Sequence, residues 1–169
     1  MSKKLLVVVD MQNDFVTGAL ANTEAQKIVG DINDYVKNFD GDVAFTRDTH
    51  QANYMETQEG SKLPVPHCIE GTDGWQIVSG IDLPANSVVF DKPTFGSVDL
   101  ANFIKGHGYD EVEFCGVCTG ICVISNVALA KAFCPETTVK VIERLCACVT
   151  PDTHKTAIDA MKTFQVDVI

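Results

Sequence analysis

Basic residues are scarce in this chain: 13 Lys and Arg stand against 23 Asp and Glu, a formal net charge of -10. A surface of that sign repels phosphate backbones and anionic lipid, which argues against nucleic acid and membrane surfaces as partners. Long apolar runs are also missing. The run from Leu5 to Val9 is too short for a secretory h-region with a cleavage site or for a bilayer span, so a cytoplasmic protein is expected. The 7 cysteines are odd in number and irregular in spacing. They do not form a disulfide framework, and reduced thiols are the expectation. There is no low-complexity segment, internal repeat or linker, and the 169 residues are read as one domain, 1–169. No G-x-G-x-x-G follows the first apolar run, which argues against a dinucleotide cofactor.

What is present alternates. Leu5–Val9 reads as a strand buried on both faces. Residues Thr23–Phe39 carry Ile28, Ile32, Tyr35, Val36 and Phe39 at helical spacing, stopped by Gly41. Val43–Thr46, Ser87–Phe90, Glu111–Val117 and Thr138–Ile142 read as further strands. Helices are expected over Val98–Gly106, from about Ile121 to Phe133, and from Pro151, and a short strand over Gln165–Ile169. Residues 49–86, rich in Gly, Pro, Gln and Asn, show no sustained period and read as a long functional loop. The pattern predicts a three-layer α/β/α fold around a doubly wound, mostly parallel sheet. Such sheets place chemistry at the carboxyl ends of their strands. Asp10, Asp48, Lys92 and residues 116–122 fall there.

In Gly116-Val117-Cys118-Thr119-Gly120-Ile121-Cys122, small residues end a strand and open a helix. Free amides and partial positive charge at a helix start favour a thiolate and can hold an oxyanion. Cys122, in the first turn, is the candidate nucleophile. Cys118 is a candidate second thiol or oxyanion donor, whereas Cys115, Cys134, Cys146 and Cys148 read as inert buried thiols. A nucleophilic cysteine needs a base or a charge partner, and Asp10 and Lys92 end neighbouring strands. Each alone is commonplace, Lys92 as a surface lysine; their value is joint. Asp48 and His50, two apart in extended chain, face one side and can grip one ion. His67, just after Pro64 and Pro66, could join them, with Glu59 a candidate further ligand. Two imidazoles and a carboxylate suit zinc, iron or manganese. His107 and His154 read as surface residues.

Together these segments resemble the isochorismatase-like cysteine hydrolases, nicotinamidases most closely, over nearly the whole chain. The motifs are Asp10-Met11-Gln12-Asn13-Asp14-Phe15, Thr46-Arg47-Asp48-Thr49-His50, Pro66-His67-Cys68 with Gly71-Thr72, Lys92-Pro93 with Phe95 and Ser97, and the Gly116–Val123 segment. The resemblance implies that Asp10 takes the Cys122 proton, that Lys92 holds the charges of the pair, and that a thioester forms as ammonia leaves. It implies an oxyanion site at the Val117–Cys118 peptide, expected cis, and the Cys122 amide. It implies a metal on Asp48, His50 and His67, most simply zinc, that orients a pyridine ring, and a substrate pocket including Phe15, Pro64 and Phe95. Two departures stand out. Gly120 occupies the place of a usual Asp, and Pro64 that of an aromatic residue stacking on the ring, for which Trp75 or Tyr54 are the candidate replacements. Nicotinamide hydrolysis is the leading reading. Hydrolysis of another small amide or carbamoyl compound, a silent ligand-binding or partner-binding member, and a cysteine-based metal or redox protein are the others. Relatives often assemble, so a homo-oligomer is compatible with the chain.

Overall fold

The computed structural model describes residues 2–169. β1 (Lys4–Val9) carries five consecutive side chains with no solvent exposure, as its unbroken apolar run requires of a central strand. A single turn α1 (Asn13–Val16) leads to α2 (Thr23–Asn38), where the Asn22 side chain accepts the Glu24 amide. Ala25, Ile28, Ile32 and Val36 form its buried stripe. β2 (Asp42–Asp48) follows, then a 3-10 turn (Tyr54–Glu56), α3 (Gln58–Lys62) and β3 (Val88–Lys92). α4 (Val98–His107), capped by the Ser97 hydroxyl and ended by left-handed Gly108, precedes β4 (Glu111–Val117). A π-helical turn (Thr119–Val123) runs into α5 (Ile124–Phe133). β5 (Thr138–Ala147), α6 (Pro151–Thr163) and β6 (Asp167–Val168) complete the order. α6 starts with a reciprocal Thr150–Thr153 capping box.

The sheet order is β3-β2-β1-β4-β5-β6, and every pairing is parallel. The doubly wound α/β/α architecture read from the sequence is therefore present. The order reverses between β1 and β4, so the crevice above their carboxyl ends is the place for a site. Register fixes what meets there. Val9 pairs with Thr46 on one side and Gly116 on the other, Asp48 with Lys92, and Val117 with Ala147.

Four expectations need correction. β5 runs five residues past Ile142: the exposed Glu143 and Arg144 break the apolar run at a register shift against β4, and pairing resumes at Cys146 and Ala147. β6 is only two residues long, since Gln165 turns the chain at φ 67°. Residues 49–86 are not a featureless loop: they hold the 3-10 turn and α3 and bridge back through Gln12–Ile77 and His50–Ile69. The helix expected from Ile121 begins instead as the π-helical turn.

Gly116 of β4 lies directly against Val9 of β1. Its φ is 113°, and a Cβ there would strike the Val9 carbonyl oxygen and amide. Gly116→Ala should therefore cost about 3 kcal/mol or more through strain and overpacking. A thermal melt beside the parent chain checks this, and an unchanged midpoint would contradict it.

Candidate active site

Three charged groups, one from each of the first three strand ends, meet in a space closed to water. Asp10, in the left-handed region at φ 50°, is held by the Thr46 hydroxyl, which donates to Oδ1 at 2.6 Å. Its other oxygen lies 2.6 Å from Lys92 Nζ. Lys92 is 1% exposed, also donates to the Thr94 carbonyl, and sits 3.6 Å from Asp48 Oδ1. A surface lysine is thus excluded. Burial works against its charge, but Asp10, Cys122 and Asp48 outweigh that and raise its pKa, so it is an ammonium. Burial lifts Asp10 above the ordinary carboxylate range, with Lys92 opposing.

Cys122 lies in the π-helical turn, buried beside this pair. Burial first, and then the Asp10 carboxylate, push its thiol well above the usual value. The proton therefore rests on the sulfur, and Asp10 is the neighbouring group placed to take it. The turn is tied down from both sides. Asn126 donates to the Cys122 and Phe95 carbonyls and accepts the Ser97 amide, binding the turn to the segment after Lys92. His154 hydrogen-bonds to the buried Thr119 hydroxyl at 2.8 Å and is half-buried, so it is not the surface residue its sequence context suggested. His107 is exposed. The Val117–Cys118 peptide is cis.

Asp48, His50, Glu59 and His67 converge so that their donor atoms lie within 4.8 Å of one another. Asp48 Oδ2 is 3.0 Å from His50 Nε2 and 3.3 Å from His67 Nε2, and Glu59 lies 3.6 and 3.9 Å from the same nitrogens. His67 Nδ1 is 2.8 Å from the Val65 carbonyl. That contact assigns the ring proton to Nδ1 and turns the Nε2 lone pair inward, as in metal sites. The buried Asp48 Oδ1 has no hydrogen-bond partner among the described residues. Two imidazoles and two carboxylates suit a divalent ion. Burial works against the Asp48 charge, but His50, His67 and Lys92 hold its pKa below the carboxylate range.

Cys122, with Asp10 and Lys92 buried behind it, and three of the four ligand residues border one cavity of about 890 Å³. Phe15, Phe95, Val117 and Cys118 line it with Asp48, Glu59, His67 and Cys122. Pro64 does not; it is exposed, and Leu63 stands on the wall instead. Neither candidate replacement reaches the cavity. Trp75 donates to Thr49 and is covered by Arg47 at 3.6 Å, whereas Tyr54 packs behind the His50 and His67 rings. Sequence reasoning also missed the supports. Gln12 accepts the Asp48 amide and donates to the Asp48 and Trp75 carbonyls, and Asp14 accepts the Cys68 amide beside His67. Both lay inside the quoted first motif, as Thr46 did inside the second, but nothing in their spacing gave them a task.

The isochorismatase domain family matches residues 4–169. The chain belongs to that family. Among the relatives of this isochorismatase domain, the nicotinamidase/pyrazinamidase of Mycobacterium tuberculosis is 30% identical, the match covering 98% of each chain. The nicotinamidase of Saccharomyces cerevisiae is 27% identical over 80% of this chain and 85% of its own. The pyrazinamidase of Pyrococcus horikoshii, solved in complex with zinc, superposes with a TM-score of 0.88 at 29% identity, covering 99% of this chain and 98% of that one. No helix among the described residues is long and apolar enough to cross a membrane.

Two predictions follow from the charges. Lys92→Ala strands two buried carboxylates and should destabilise the fold by about 3–5 kcal/mol near neutral pH. Without the ammonium, the raised Asp10 pKa moves further above its unfolded value. The charged form then costs stability as pH rises through the folded pKa, and the deficit shrinks on acidification. Denaturant titrations of parent and variant at about pH 5 and about pH 7.5 test this; a deficit that grows with acid would oppose it. Separately, burial lowers the His67 pKa, but its bond to Asp48 and its neighbours raise it on balance. Proton and metal compete for the ring, so zinc affinity should fall as pH falls from about 8 to about 6. Competition with a chromophoric chelator measures it, and a flat profile would refute the assignment.

Proposed function

We propose that this chain is a cysteine amidohydrolase that converts nicotinamide to nicotinate and ammonia. The observation that carries the reading is the one cavity bordered both by Cys122, backed by Asp10 and Lys92, and by Asp48, Glu59 and His67 of the four-ligand cluster. A nucleophile with its base, facing a metal-binding wall, suits a substrate with a carboxamide at one end and a ring donor at the other. The relatives named for nicotinamide and pyrazinamide hydrolysis support it.

In this mechanism Asp10 accepts the Cys122 proton, a task that its raised proton affinity favours. The sulfur attacks the carboxamide carbon. The Cys118 and Cys122 amides stabilise the oxyanion, Val117 setting the peptide that presents the first of them. Asp10 returns the proton to the leaving nitrogen, ammonia departs, and a thioester remains on Cys122. Asp10 then takes a proton from water as it attacks the thioester carbon; the acid is released and Cys122 regains its proton. Lys92 stays an ammonium throughout and keeps the Asp10 negative charge tolerable in a dry site. Asp48, His50 and His67, with Glu59, would hold a divalent metal, zinc first and iron or manganese as alternatives. When bound, it supplies a Lewis-acidic point that orients a ring nitrogen rather than attacking the amide. Phe15, beside His67 at 5.6 Å between ring centroids, and Phe95 supply ring walls. The free cysteines agree with a reducing, cytoplasmic setting.

A second reading, hydrolysis of another small amide by the same chemistry, is favoured by the breadth of the cavity and by the absence of Pro64 from its wall. Ammonia release from nicotinamide decides between them. It should vanish in Cys122→Ala and fall by orders of magnitude after chelation, because the residues of such a unit act together. No release from a protein whose Cys122 still reacts with iodoacetamide would transfer the assignment to the second reading.

A further inference from the structure

The mechanism uses the backbone of Cys118 but not its thiol, and Cys148 not at all. The two follow β4 and β5 directly. Since Val117 pairs with Ala147, each cysteine stands one residue past the last matched pair of two adjacent parallel strands. Neighbouring strands run about 4.8 Å apart, inside the Cα separation of roughly 4.4–6.8 Å that a disulfide needs. Cys118 keeps an extended backbone, φ -86° and ψ 141°.

The surroundings of Cys148 are those of a thiolate. The Cys118 thiol is the main stabiliser; burial opposes it, and the Thr153 side chain and the Gly120 and Val149 amides add to it. Gly120 comes close because it has no side chain: a Cβ there would lie 3.6 Å from the sulfur. Together these contacts bring the Cys148 pKa down to about 5. Cys115, Cys118 and Cys122 are instead pushed up, with burial a leading cause. Access exists from two sides. Cys118 lines the large cavity, and Cys148 lines a separate pocket of about 270 Å³ with Lys27, Arg144 and His154 on its walls.

We infer that Cys148 and Cys118 are a hydroperoxide-reactive dithiol that closes to a disulfide in the wall between these two cavities. The Cys148 sulfur attacks one peroxide oxygen and the O–O bond breaks. The electron pair from sulfur reduces the hydroperoxide to an alcohol, or to water, leaving Cys148 as a sulfenic acid. The Cys118 sulfur then attacks Cys148 and displaces the hydroxyl, which leaves as water with the Cys118 proton. Two thiols and one hydroperoxide thus give a disulfide, an alcohol or water, and one further water. A dithiol reductant reverses the bond.

The test uses the reduced full chain, treated with stoichiometric hydrogen peroxide, denatured, alkylated with iodoacetamide and digested without reductant. The expected result is a peptide pair linked through Cys118 and Cys148, with free thiols falling by two from the 7 present and restored by dithiothreitol. In Cys118→Ser the sulfenic acid has no partner and dimedone should mark Cys148. If that variant does not fold, the linkage in the parent chain decides alone. Full alkylation of both Cys118 and Cys148, whether Cys122 is oxidised or nothing is, overturns the inference. The readout is independent of amide turnover, so the proposed activity and this dithiol stand or fall separately.

Discussion

One buried ammonium sets the terms for everything around it. Lys92 is shut away from water between Asp10 at 2.6 Å and Asp48 at 3.6 Å. A charge of either sign in such a place is costly unless it is matched, and here one positive group stands between two negative ones. The excess negative charge is what gives the site its character. Burial and, after it, this negative charge raise the proton affinity of the Cys122 thiol.

The fold delivers these groups by register alone. β1, β2 and β3 end side by side, so Asp10, Asp48 and Lys92 arrive at one level without any loop having to carry them. The nucleophile comes from the other half of the sheet, across the point where strand order reverses. Precision is then supplied by side chains that do no chemistry. Thr46 orients Asp10, Gln12 pins the end of β2, Asp14 fixes the chain at Cys68, and Asn126 and His154 hold the π-helical turn. Sites held on strand ends and braced in this way need little rearrangement to work.

The sheet, its helices and the charged strand ends were legible because the apolar runs are strong and the parallel architecture puts function at known positions. The convergence of His67 and Glu59 on Asp48 and His50 was readable only as a pattern of residue types, since it depends on how residues 49–86 fold back. That segment has no period to read; bridges at Gln12–Ile77 and His50–Ile69 and the Asp14–Cys68 bond determine its path. The high proton affinity of Cys122 was not legible: a helix start favours a thiolate, but burial and the neighbouring Asp10 carboxylate oppose it. Cys148 was likewise passed over, because the amides that surround it come from Gly120 and Val149, and their approach is a matter of three-dimensional packing.

Asp48 belongs to two neighbourhoods at once, with one oxygen turned to His50 and His67 and the other to Lys92. Evolutionary drift therefore has a preferred order at this site. A descendant turning to substrates without a ring donor could shed either imidazole and disturb only the wall that they form. Losing Asp48 would also unbalance the charge beside the nucleophile. Of the four cation-binding side chains, it is the one whose persistence in a lineage would say least about metal and most about the survival of the reaction.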